Sequence, residues 1–120
     1  MPDEAPGRLT VHVLDTTCGQ PAADLFLALY RVDGDTRTLV ASRHTNADGR
    51  CDAPLLSGGA LRPGSYEIVF DIAAWRAARG DEGVGFYDLV PIRFRIADAA
   101  GRYHIPLLLS PFGYTTYRGS

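Results

Sequence analysis

Proton-handling side chains are scarce in this sequence. It has three histidines, His12, His44 and His104, and all twelve of its basic residues are arginine. An imidazole titrates near neutrality, so it can act as either base or acid. His12 sits in "LTVHVLD", sharing an alternate-residue face with Thr10, Leu14 and Thr16, opposite Leu9, Val11 and Val13. His104 repeats that setting in "RYHIPLLL". A histidine inside an apolar strand is usually a structural ring satisfied by one hydrogen bond, so spacing alone makes neither one catalytic. Pro106 lacks a backbone donor and predicts an edge or interface position for the strand carrying His104. His44 precedes a turn and reads as surface. Arg50 closes "TNADGR". Without lysine, recognition of anionic or planar polar groups must rest on guanidinium forks or backbone donors. Arg50 by itself, however, reads as an arginine at a strand start with its stem packed and its head in water.

Several other chemistries are excluded or unsupported. Without lysine there is neither a Schiff base nor a P-loop. Asp15 and Asp24 have no carboxylate partner at a glycosidase spacing. No G-x-S-x-G surrounds Ser57, Ser65 or Ser110. Cys18 and Cys51 make no C-x-x-C and no disulfide framework, and they read as free thiols. A zinc site would have to draw the exposed His44 into a pocket with the other histidines, so no metal is expected. A net charge of −2, with arginines scattered and densest at "RFR" (93–95), predicts no nucleic-acid or membrane surface. "MPDEAPGR" has no signal-peptide character and "IPLLL" is too short to span a bilayer. The expectation is a cytoplasmic protein, flexible over residues 1–7 and a single globular domain over 8–120.

The elements that must hold these residues are short strands. Apolar-rich runs at 9–16, 24–35, 36–45, 64–72, 90–97, 102–110 and 113–119 are punctuated by Asp-Gly, Asp-Gly and Pro-Gly turns, among others. This predicts an all-β fold, a two-sheet antiparallel β-sandwich. One stretch differs. "DIAAWRAARGD" (71–81) places Ile72, Trp75 and Arg76 at helical spacing and ends at Gly80, predicting one short helix with a glycine cap.

Three segments, "LTVHVLDTTCGQPA" (9–22), "TNADGR" (45–50) and "YHIPLLLSPFGYTTYRGS" (103–120), together resemble the 5-hydroxyisourate hydrolases, the transthyretin-related enzymes of purine catabolism. The Tyr-Arg-Gly-Ser ending is the tetrapeptide that marks these enzymes and that the hormone-carrier transthyretins lack. The resemblance covers essentially residues 8–120 and implies a transthyretin-like sandwich. It further implies a dimer-of-dimers homotetramer, with substrate in a channel between dimers. The implied reaction opens the six-membered ring of 5-hydroxyisourate to give 2-oxo-4-hydroxy-4-carboxy-5-ureidoimidazoline, without metal or organic cofactor. Carried over by motif, His12, Arg50 and His104 are catalytic. Tyr117 and Ser120 line the substrate pocket, with Arg118 as a further substrate-binding candidate. The chain departs from the family pattern at Val11, at Asp88-Leu89 and at Tyr103, none of them a proposed catalytic position. The alternative is a transthyretin-like carrier that binds a small ligand without turning it over.

Overall fold

The structure is a computed structural model and describes residues 7–81 and 83–119. Alternation makes β1 (Arg8–Asp15) two-faced: Leu9, Val11 and Val13 are buried, while Thr10, His12 and Leu14 point the other way. The other anticipated strands are β3 (Phe26–Asp33), β4 (Thr36–His44), β6 (Gly64–Asp71), β7 (Leu89–Ile96), β8 (Arg102–Ser110) and β9 (Gly113–Thr116). Two short pairings, β2 (Gln20–Pro21) and β5 (Leu56–Ser57), escape a pattern search because two residues carry no periodicity. One sheet has the order β2-β1-β8-β9, with β5 also on β1, and the other runs β4-β3-β6-β7. Between them Leu9, Val13, Leu27, Leu29, Ile68, Phe70 and Leu107 are fully buried. This is the expected sandwich.

One pairing departs from the antiparallel pattern: β1 and β8 run parallel along their length. Parallel neighbours need a long crossover, and here the whole second sheet forms it. Of the edge or interface position expected for β8, the edge is corrected, because β8 lies between β1 and β9. Pro106 is tolerated there for a local reason. The His104 carbonyl accepts from Gly119 N at 2.8 Å, so His104 and, two residues on, Pro106 turn their backbone polar groups toward β9. The β9 ladder ends at Thr116 opposite Leu107 and touches β8 again only at the His104–Gly119 bridge. The missing proline donor falls in that gap, and Thr116 Oγ1 donates to the Pro106 carbonyl at 2.7 Å.

The short helix α1 (Ile72–Ala78) leads from β6 toward β7. Asp71 caps it by accepting from Ala74 N at 3.0 Å. Gly80 N and Asp81 N close its end on the Ala77 and Arg76 carbonyls, with Gly80 at φ +78°. Ile72, Trp75 and Arg76 are its buried face, and Trp75 Nε1 donates to the Ala23 carbonyl at 3.0 Å. Of the segment expected to be flexible, residues 1–6 lie outside the described residues, whereas Gly7 is buried and accepts from Gly58 N. Among the described residues no helix is long and apolar enough to cross a membrane.

Candidate active site

The parallel register assembles the site. Thr10 pairs with His104 and His12 with Pro106, so both imidazoles stand on the outer face of the same sheet. Each is half-buried. His104 Nδ1 lies 2.8 Å from Thr10 Oγ1. His12 Nε2 lies 2.9 Å from the Asp48 carbonyl oxygen, which can only accept. Neutral His12 is therefore the Nε2–H tautomer, with its lone pair on Nδ1.

The turn at residues 45–50 brings Arg50 to this face. Asn46 Oδ1 accepts from Asp48 N at 2.9 Å and from Arg50 N at 3.1 Å, tying the turn to itself. Gly49 then fastens it to β1, its carbonyl accepting from Val13 N at 2.8 Å. Gly49 has φ +74°, and a Cβ there would press into the Val13 carbonyl oxygen, so both backbone and contact demand glycine. Arg50 itself is exposed. With Arg8, Thr10, Arg102, Tyr103 and His104 it lines a cleft of about 310 Å³.

The charges in this cleft tune the rings. Burial, and then the Arg50 guanidinium, hold His12 below the ordinary histidine pKa, with the Asp48 carbonyl and carboxylate opposing. Burial, then Arg50, then His12 depress His104. Both shifts favour the neutral imidazole, the form able to accept a proton, and all three side chains share one electrostatic neighbourhood. His44 stands apart, exposed on β4 of the other sheet with its ring 5.2 Å from Phe26.

The chain's end approaches His104 from its other side. Gly119 bridges His104, and a Cβ on Gly119 would lie 2.7 Å from the His104 ring. Tyr117 and Arg118 join Phe94 and His104 in lining a second, mainly apolar cleft of about 220 Å³. The Arg118 guanidinium sits 4.6 Å over the Tyr103 ring and donates to the Arg102 carbonyl at 3.3 Å. Ser120 lies outside the described residues. Cys18 and Cys51 are unpaired thiols, exposed and half-buried respectively. Among the described residues no group of three or more His, Cys, Asp or Glu could hold a metal ion.

A profile of the HIUase/Transthyretin family matches residues 9–119. The chain belongs to this family. A 5-hydroxyisourate hydrolase of Mesorhizobium japonicum is 55% identical over 116 residues, spanning 95% of this chain and 93% of that protein. A solved (S)-allantoin synthase superposes with TM-score 0.88 at 41% identity, covering 98% of this chain and 45% of its own. Transthyretin from Sparus aurata superposes with TM-score 0.84 at 30% identity, covering 97% of each chain. The HIUase/Transthyretin fold thus occurs under different names, and function has to be argued from the site rather than from the fold.

Sequence reasoning missed four contributors in this family member. These are Thr10 as the partner of His104, the Asp48 carbonyl as the acceptor for His12, and the cleft arginines Arg8 and Arg102. The first is legible only as an alternation partner of His12, and linking it to His104 requires the parallel register. The carbonyl contact depends on how the turn docks, which no spacing rule reports.

Proposed function

We propose that this protein hydrolyses 5-hydroxyisourate to 2-oxo-4-hydroxy-4-carboxy-5-ureidoimidazoline. The observation that carries the reading is that His104 and the exposed Arg50 guanidinium line one cleft, while His12, with a defined tautomer, stands on the same sheet face and feels the same guanidinium. Hydrolysis of a ring amide needs those parts. Water adds to the ring carbonyl carbon as His12 Nδ1 takes its proton. The carbonyl oxygen becomes an oxyanion, which Arg50 stabilises. The C–N bond then breaks, His12 returns the proton to the departing nitrogen, and the new carboxyl group ionises. The Asp48 carbonyl supports the transient His12 imidazolium through Nε2–H. His104, its Nδ1 held 2.8 Å from the Thr10 hydroxyl, is the second imidazole, which orients water or polarises the carbonyl.

The same reading makes Tyr117, Arg118 and Ser120 substrate-pocket residues and treats residues 8–120 as one hydrolase unit. It places the sites between the dimers of a homotetramer in the cytoplasm. It uses no metal or cofactor, because the imidazoles and Arg50 supply base, acid and charge. A carrier would need the apolar cleft beside Tyr117, but it has no use for a defined imidazole tautomer. Single His12→Asn and His104→Asn variants test the assignment. Each should lose nearly all turnover of 5-hydroxyisourate while remaining folded, and wild-type turnover by either removes that residue from the mechanism.

A further inference from the structure

We infer that Arg8 and Arg102 form a carboxylate-holding arm of the catalytic cleft, receiving the anionic group that ring opening creates. The inference rests on the hydrolase reading and extends it to residues outside the catalytic set. Arg8 and Arg102 are directly opposed in the β1–β8 register, on the same outer face as Thr10 and His104. Like charges placed opposite each other across a ladder repel, so this pair weakens the sheet unless an anion lies between or beside them. Both side chains are exposed, and both line the cleft that Arg50 and His104 share. Among the described residues the ion pairs use Arg37, Arg79 and Arg93, and no carboxylate lies within 4.0 Å of Arg8, Arg50 or Arg102. A chain whose net charge is −2 thus concentrates in one cleft three guanidinium groups that no carboxylate of the described residues neutralises.

Ring opening supplies the matching charge. The water oxygen bonds to the carbonyl carbon, the C–N bond breaks, the nitrogen leaves protonated, and the resulting carboxylic acid releases its proton to solvent. An uncharged carbonyl becomes a carboxylate within reach of the arginines around it. Guanidinium forks match a carboxylate in geometry as well as sign. Arg50 serves the oxyanion during attack, and Arg8 and Arg102 hold the carboxylate once it has formed.

The test uses a matched pair of probes, imidazole-4-carboxylate and imidazole-4-carboxamide, which differ chiefly in charge. Their binding is measured by calorimetry to wild type, Arg8→Gln, Arg102→Gln and the double variant, alongside hydrolysis of 5-hydroxyisourate. Wild type should prefer the carboxylate, and the double variant should lose about 3- to 10-fold of that preference, as expected for two exposed charge contacts. Added salt should erode the wild-type preference. The melting temperature of the double variant should not fall, because a repulsive pair has been removed. An unchanged carboxylate preference in the folded double variant overturns the arm. If wild type prefers the carboxylate through these arginines but does not hydrolyse 5-hydroxyisourate, the hydrolase reading fails and the anion arm stands.

Discussion

Gly49→Ala should detach the turn that carries Arg50 from β1, and its cost can be worked from the backbone. Gly49 sits at φ +74°, where an L-residue with a side chain pays about 1–2 kcal/mol. The new methyl would also press into the Val13 carbonyl oxygen. That oxygen cannot retreat freely, because it accepts from Ala22 N at 2.9 Å. The turn must move instead, stretching the Val13 N to Gly49 carbonyl bond, which is worth about 0.5–1.5 kcal/mol. Together these give a loss of roughly 1.5–3.5 kcal/mol. Gly34→Ala is the control, since Gly34 has φ +61° but open space around a Cβ, so only the backbone cost of about 1–2 kcal/mol applies. Urea unfolding at fixed protein concentration measures both, and kcat/KM for 5-hydroxyisourate measures the site. Gly49→Ala should be clearly the less stable and lose at least about tenfold in kcat/KM, as Arg50 and the Asp48 carbonyl shift together. Gly34→Ala should keep its activity. Equal stability of the two variants, with wild-type turnover by Gly49→Ala, refutes the docked-turn argument.

The remaining expectations concern pH and packing. Both histidines have lowered pKa values and must be neutral to act, so the acid limb of kcat/KM should fall below the ordinary value of 6.5. Arg50→Gln removes a cause of depression and should move that limb upward while cutting the rate about 100- to 1,000-fold. Asp48→Asn removes a carboxylate that favours His12 imidazolium and should move the limb downward; shifts in the same direction would contradict the charge assignments. Gly119→Val would crowd the His104 ring from a spacing of 2.7 Å, so kcat should fall while the urea midpoint barely moves. For Asp15, burial alone would raise the pKa, but Thr17 N–H, Cys18 and Arg79 outweigh it and the net shift is downward. Its contribution is therefore fully present above the unfolded value near 3.8 and lost as pH falls through the lower folded value. Asp15→Asn should be destabilised at neutral pH by roughly 1 kcal/mol, and the gap to wild type should close in strong acid.

Local pattern carried much of the architecture. Strand alternation places Leu9, Val11 and Val13 inside and His12 outside, and the helical spacing of Ile72, Trp75 and Arg76 marks α1, with Gly80 ending it. The positive φ of Gly49 follows from the Asp-Gly turn. The partnership of strands did not follow, because β1 and β8 are joined by nearly the whole chain and nothing local specifies a parallel ladder. That single long-range fact sets Thr10 against His104 and Arg8 against Arg102. It also explains why Pro106 reads as an edge residue and is not one: its absent donor is matched by a gap in β9 that only the folded C-terminus reveals. The motifs of the family resemblance point to His12, Arg50 and His104. The contacts that tune them come from the turn docking on the sheet.

The most direct test mixes the purified protein with freshly generated 5-hydroxyisourate and follows its near-ultraviolet absorbance. The account predicts decay much faster than the spontaneous rate for wild type, near-spontaneous decay for His12→Asn and His104→Asn, and a catalysed rate cut about 100- to 1,000-fold for Arg50→Gln. Decay by wild type no faster than the uncatalysed reaction would contradict it.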